Sequence, residues 1–599
     1  MAEKYEMPWR PNFEAAAATG WAASAGIALA AGGLSGLPMT PFLWMAGIGT
    51  VMGGRRAAQA YRHHRRKARL AGKRLQKIRL ADLRGQMRTG AIWLGNGFEW
   101  DQPHTQLVHE ILKRDKSKIL PKTEQMGSPW IHGVSMQEAG LQLPIENTKG
   151  HILVLGTTGS GKTRLADLLL SQAILRGEAV IIVDPKGDKE LRENARRACE
   201  SIGHPERFLW FHPGFPEKSC RIDPMKNFNR PTELASRIAA LMGSEGPNDP
   251  FQSYSQMALN NVCQGLIMTG RQPNLLNIRS YLEGTLADLV IKSLSIWCQK
   301  KLGDIWEAES KPYVAKAKDQ ETRAFGLIRY YRERVQPLHP NQDLEGLLSM
   351  NEHDRTHFGK MIATLLPLLG QLTSGHMGAL LSPDPHDDND ERAIADMASV
   401  INQGQVLYVG LDSLSDKIVG SSIGSIILSD LASVAGDRYN YGSDLRAVNI
   451  FVDEAAEVVN DPFIQILNKG RGAELRLIIA TQTLADFETR LGSPAKARQV
   501  LGNINNMISL RVTDNETQQY ITEGLPKVRV KYIMTTQGSS IGTGGHESMQ
   551  FSGNAGERLM EEEADLFTPA LLGQLPNLEF VARVSGGRLW KGRLPILEG

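Results

Sequence analysis

The sequence predicts an α/β protein: a phosphate-binding core on a parallel sheet, interrupted by an all-α inserted domain and preceded by a two-helix transmembrane hairpin. Three observations carry this reading. A glycine-rich loop ending in Lys-Thr stands between an apolar strand and an apolar helix. Short β-branched runs recur on both sides of a long stretch whose only periodicity is helical. Forty residues without a charge lie between Glu14 and Arg55.

The chain has 599 residues, 68 of them Lys or Arg and 65 Asp or Glu, a net of +3. At ~150 residues per domain this predicts three or four domains. With 41% apolar and 22% charged residues, disordered, collagen-like and coiled-coil classes are excluded. The charge is uneven. Arg55, Arg56, Arg62, Arg65, Arg66, Lys67, Arg69, Lys73, Arg74, Lys77 and Arg79 fall within 26 residues without a carboxylate, and setting these 11 aside leaves 57 basic against 65 acidic side chains, a net of −8. Cys199, Cys220, Cys263 and Cys298 form no C-x-x-C pair, so neither a zinc site nor a dithiol motif is expected.

The uncharged segment has room for two spans of ~20 residues. Ser35-Gly36-Leu37-Pro38-Met39-Thr40-Pro41 supplies the turn between a first span at about Ala15–Leu34 and a short second one at about Pro41–Gly54. Gly26, Ala30, Gly47 and Gly49 would let the helices pack closely. The basic run after the second span, with Lys4 and Arg10 before the first, predicts two spans with both termini and most of the chain cytoplasmic. Glu3, Glu6 and Glu14 argue against a secretory signal.

Gly156-Thr157-Thr158-Gly159-Ser160-Gly161-Lys162-Thr163 fits G-x-x-x-x-G-K-[ST]. Its backbone N–H groups would cradle phosphate, Lys162 would reach the β/γ oxygens, and the Thr163 hydroxyl would ligate Mg²⁺. Val448–Val452 is an apolar strand ending in Asp453-Glu454. Asp453 would hold the metal through water, and Glu454 would polarise the attacking water. A further strand, Leu475–Ala480, runs into Thr481-Gln482, which would bring an amide near the γ-phosphate. Arg471, on the turn before it, is a candidate arginine finger for a neighbouring subunit, the alternative being an ordinary surface arginine. ATP and Mg²⁺ are the expected cofactors.

About 290 residues separate the two acidic and glycine-rich motifs, and a helical insertion accounts for them. Phe358, Met361, Ile362, Leu365, Leu369 and Leu372 make a helical stripe. The expected organisation is a cytoplasmic tail (1–14), the hairpin (15–54), a basic juxtamembrane segment and stem (55–140), a first nucleotide-binding part (141–249), the all-α domain (250–400) and a second nucleotide-binding part (401–599). Trp93–Trp100 reads as a strand and turn. Pro526-Lys527-Val528-Arg529-Val530-Lys531-Tyr532 reads as a strand with one cationic face, an edge protected by lysines or a DNA-lining strand. His353 and His357, without a third ligand, read as surface histidines.

The P-loop segment 151–163, Val183-Asp184-Pro185-Lys186-Gly187-Asp188 and the Asp453-Glu454 strand together resemble the additional-strand, RecA-like hexameric P-loop ATPases that include FtsK and HerA. The hairpin and the insertion narrow the resemblance to type IV coupling proteins of bacterial conjugation. Trp93–Trp100, Trp130-Ile131-His132-Gly133 and Arg511-Val512-Thr513-Asp514-Asn515-Glu516-Thr517 are similar to the TraD branch of integrative conjugative elements. The resemblance implies a membrane-anchored homo-hexameric ATPase that receives relaxase and relaxosome proteins and passes single-stranded DNA to inner-membrane components of a type IV secretion channel. It implies Arg471 as the finger and Gln482 as the γ-phosphate sensor, and it implies that the Asp184–Asp188 turn lies near the nucleotide; Lys186 is assigned no catalytic role. Some relatives carry a long acidic C-terminal tail for docking; this sequence stops after a hairpin at Gly586-Gly587, so docking is expected on other surfaces. The competing readings are an FtsK-like double-stranded DNA translocase, a docking receptor without translocation, and a coupling factor for protein effectors.

Overall fold

A computed structural model describes residues 11–598 except 74, 123–125, 136, 243–249, 354 and 543–549. Most of the expected tail, 1–14, lies outside the described residues.

Helices α1 (Phe13–Leu34) and α2 (Thr40–Arg69) form an antiparallel hairpin broken at the Gly-Pro turn. The second helix is longer than its apolar part, because the run after Gly54 is rich in the strong helix formers Arg and Ala. The helices meet through Ala25, Ala28, Ala46 and Gly49. A Cβ on Gly49 would lie 3.0 Å from that of Ala25, whereas Gly26 and Gly47 face open space and Ala30 is exposed. Of the four small residues expected at the contact, only Gly49 is there: neighbouring positions differ by ~100° around a helix. Among the described residues, Phe13–Leu34 and Lys417–Tyr441 are long and apolar enough to cross a membrane, but 72% of the latter's apolar window is buried inside the protein. It is a core helix.

Eleven strands among the described residues form one sheet. In chain order they are β1 (Ala91–Glu99), β2 (Ala139–Pro144), β3 (Ile152–Leu155), β4 (Ala179–Asp184), β5 (Phe208–Phe211), β6 (Val406–Gly410), β7 (Val448–Val452), β8 (Leu475–Thr481), β9 (Asn506–Ser509), β12 (Glu579–Val584) and β13 (Arg588–Arg593). A separate ribbon supplies β10 (Lys527–Gly542) and β11 (Gln550–Asp565). The sheet runs β2-β1-β13-β12-β9-β3-β8-β7-β4-β6-β5. From β9 to β5 all pairings are parallel, and from β9 to β2 all are antiparallel. Every residue of β3, β4, β7 and β8 is buried, as expected of strands covered by helices on both faces. Trp93–Trp100 is therefore no local strand-turn. It belongs to β1, which joins the core sheet through β13.

Helices from Pro250–Met268 to His376–Leu381 fill the chain between β5 and β6. The stripe from Phe358 to Leu372 is largely buried, but it is split into helices Arg355–Met361 and Leu365–Thr373. Pro367 has no N–H to bond Ala363, as one continuous helix would require. His353 is exposed just beyond helix Gln342–Glu352, so it does not share a helix with position 357, whose side chain lies outside the described residues. No group of three metal-binding side chains occurs among the described residues.

The Lys527–Tyr532 segment is the base of the ribbon. Its outer backbone edge is met by the helix Gln102–Leu112: Gln102 donates to Arg529 O (2.8 Å), and Gln106 donates to Lys531 O (2.7 Å) and accepts from its N–H (2.8 Å).

Candidate nucleotide site

The loop 156–161 leaves the C-terminal end of β3 and enters the helix Lys162–Leu175. Gly159 (φ 74°) and Gly161 (φ 117°) hold left-handed conformations that a side chain would strain. The loop is anchored from outside. Thr157 N–H donates to Arg511 O (2.8 Å), and the N–H of Leu578 donates to Ser160 O (3.0 Å). Residues just beyond β9 and just before β12 thus brace it. The first turn of the helix directs N–H groups at the space the loop encloses, a favourable anion position. Lys162 is nearly buried, and its Nζ lies 2.7 Å from Gly156 O and 3.9 Å from Glu454 Oε1. Burial pulls its pKa below the ordinary lysine value, against the pull of the Glu454 and Asp453 carboxylates. Thr163 is half-buried in the same turn, and Thr158 is exposed.

In the sheet, β8 lies between the P-loop strand β3 and the acidic strand β7. That order carries Gln482, one residue past β8, to Glu454, two residues past β7. The Gln482 amide donates to Glu454 Oε1 at 2.8 Å, and its carbonyl accepts from Thr158 Oγ1 at 3.4 Å. Glu454 stands at φ 41°, a strained conformation for glutamate, and is 8% exposed. Burial pushes its pKa up, but the Gln482 amide and the Lys186 and Lys162 ammonium groups outweigh this and hold it below the usual value. Asp453 behaves oppositely: burial first, then the charges of Glu454 and Asp184, push it up to about 6. Its Oδ1 is buried without a hydrogen-bond partner. An orphaned carboxylate oxygen is a hard oxygen donor of the kind Mg²⁺ takes.

The turn carrying Lys186 was expected near the nucleotide, but the lysine's contact with Glu454 was not legible. Lys186 Nζ lies 2.9 Å from Glu454 Oε1, the same oxygen that Gln482 holds. The signal in the sequence was the Asp184–Asp188 turn itself, where Asp184 accepts the N–H groups of Lys186 (2.9 Å) and Asp188 (2.7 Å) and the Tyr408 hydroxyl (2.6 Å).

Arg471 does not join the cluster. It is exposed on the turn Gly470–Ala473 that precedes β8, whereas Gln482 follows β8. With Lys149, Tyr439 and Lys469 it lines a cavity of about 870 Å³.

Residues 135–292 match the family model of the type IV secretion-system coupling protein DNA-binding domain, and residues 447–577 match the TraM recognition site of TraD and TraG. The type 4 coupling protein DotL of Legionella pneumophila is 22% identical over 432 residues, 63% of this chain and 49% of DotL. The chain thus spans about half the length of that curated relative. Among solved structures, the bacterial conjugative coupling protein TrwBdeltaN70 in its unbound form has a TM-score of 0.47 at 15% identity, covering 84% of this chain and 95% of that one. TrwB in complex with ADP and Mg²⁺ has a TM-score of 0.44 at 16% identity, covering 76% and 87%. The two family models, matched to separate parts of one core, support a type IV coupling protein.

Proposed function

We propose that the chain is a membrane-anchored ATPase motor of the TraD branch. It works as a homo-hexamer that receives relaxosome proteins and drives single-stranded DNA toward the inner-membrane components of a type IV secretion channel. The observation that carries the reading is Glu454, held by Gln482 2.8 Å away and facing Lys162 at 3.9 Å.

The loop N–H groups and Lys162 would bind the phosphates of ATP, and Thr163 and Asp453 would hold Mg²⁺. When bound, the metal neutralises phosphate charge and orients the β and γ oxygens. Glu454 takes a proton from water as the water oxygen attacks the γ-phosphorus. The bond from that phosphorus to the β–γ bridging oxygen breaks, leaving ADP and phosphate, while the Gln482 amide orients Glu454 and the attacked group.

Membrane anchoring is supported by the shell of exposed apolar side chains on the hairpin, including Ile27, Leu43, Trp44, Ile48 and Val51. DNA binding is supported by the family match over 135–292. The soluble part carries no basic excess, so affinity rests on a local surface.

The test is ATP turnover by the full chain in lipid nanodiscs. It should rise steeply with single-stranded DNA and vanish in Lys162→Ala. Turnover indifferent to DNA, with assembly that follows ATP, would instead favour a docking receptor. A preference for duplex DNA would favour the FtsK-like reading.

A further inference from the structure

Glu454 receives two donors on one oxygen. Lys186 Nζ (2.9 Å) and Gln482 Nε2 (2.8 Å) both bond Oε1, and Lys162 Nζ approaches the same atom at 3.9 Å. The three side chains Lys186, Glu454 and Gln482 line one cavity of about 790 Å³, whose wall also includes Leu241 and, from the helical region, Leu368. A carboxylate pinned through one oxygen, on a nearly buried side chain, has its second oxygen fixed in direction as well.

The turn that presents Lys186 is itself held in place. Asp184 accepts the N–H groups of Lys186 and Asp188 and the hydroxyl of Tyr408, which is buried in β6. Gly187 stands at φ 70°, with His212 Nε2 2.9 Å from where a Cβ would be. Yet the Lys186 side chain is 48% exposed, and an ion pair so accessible to water adds little to folding stability. Fixing this lysine therefore serves geometry more than stability.

We propose that Lys186 is a positioning residue for Glu454: with Gln482 it ties down Oε1 and turns Oε2 toward the attacking water. The inference rests on the ATPase reading above and adds to it a residue outside the P-loop, acidic and sensor motifs. Lys186 acts through Glu454, so it governs turnover and not nucleotide binding.

The experiment compares steady-state ATP turnover and the affinity for a fluorescent ATP analogue, using the full chain in nanodiscs with single-stranded DNA. Lys186→Met should lower kcat by about 10–100-fold, less than the ~10²–10⁴-fold attributed to a positioned acid–base group itself. KM for ATP and analogue affinity should stay within about twofold of wild type, since no binding group is lost. Lys186→Arg, which keeps a charged donor, should recover part of kcat. In the Glu454→Gln background, Lys186→Met should leave analogue affinity unchanged. A kcat at the wild-type level in Lys186→Met overturns the inference, as does a loss confined to nucleotide affinity. If Lys186→Met fails to fold, Lys186→Gln reads the same two quantities. A wild-type chain without ATP turnover overturns the ATPase reading itself, whereas normal wild-type turnover with a normal Lys186→Met overturns this inference alone.

Discussion

Arg471 and Gln482 stand at opposite ends of the same strand, one on the turn before Leu475 and the other immediately after Thr481. Seven strand residues at ~3.3 Å each put them about 23 Å apart. One nucleotide site in one chain cannot use both. If both act in hydrolysis, Gln482 would serve the site of its own chain and an arginine finger at 471 a neighbour's. Arg471→Ala should therefore abolish ATP turnover as a homogeneous assembly, while mixing it with Lys162→Ala chains should restore part of the activity. Mixing titrations read this directly, and a mixture as dead as its parents would remove Arg471 from the trans role.

Glu454→Gln keeps the size and the amide-facing oxygen but cannot accept a proton. Turnover should fall by about 10²–10⁴-fold with nucleotide affinity retained. Lys162→Ala should lose affinity as well as turnover, because its ammonium is the charge aimed at the phosphates. Equilibrium binding of a fluorescent nucleotide beside turnover separates the two variants.

His151 locks the strand carrying the P-loop to the segment before Arg471. Its Nδ1 accepts the N–H of Leu477 (3.2 Å), so the proton sits on Nε2, which donates to Leu467 O (3.1 Å). Burial lowers its pKa to about 4. The unfolded chain then binds the extra proton first, so stability is fully present above the ordinary histidine value near 6.5 and is lost as pH falls from there to about 4. The loss should be on the order of 2–3 kcal/mol. Thermal melting between pH 4 and 7 should show that slope. His151→Asn, which tolerates the left-handed φ of 59°, should flatten it.

Lys591 is fully buried in β13, with its Nζ 2.6 Å from Glu579 Oε2 on β12. Lys591→Met alone leaves a carboxylate in the sheet interior, and a cost of about 3–5 kcal/mol is expected. Lys591→Met combined with Glu579→Leu should recover most of it. Chemical denaturation of both variants checks this, and a single variant as stable as wild type would contradict it.

What could be read from the sequence was local. The P-loop, Asp453-Glu454 and Gln482 are strand ends with characteristic residue types, and sheet order brings them together as their spacing suggests. The resemblance placed the Asp184–Asp188 turn near the nucleotide, but the contact of Lys186 with Glu454 was missed because the turn carries no sign of which strand lies beside it. Only β4 pairing with β7 sets that turn against Glu454. The braces on the P-loop from Arg511 and Leu578 were invisible for the same reason: they lie more than 350 residues away in sequence. The full length of α2 was not legible, because apolar patterning says nothing of where a basic helix ends. The stripe at 358–372 showed the converse, where periodicity continued across a break that Pro367 enforces.

The unbroken α2 has a mechanical consequence. Its lower end is clamped to the core, since a Cβ on Gly133 would sit 2.5 Å from Arg69 O, and Leu70 is buried there. Thirty residues at 1.5 Å each make a rod of ~45 Å. Tilting the core by ~5° would swing the far end of such a rod sideways by ~4 Å. If the chain is the membrane-anchored motor proposed above, each stroke would be felt in the bilayer as a lateral displacement, and the anchor would also be a lever.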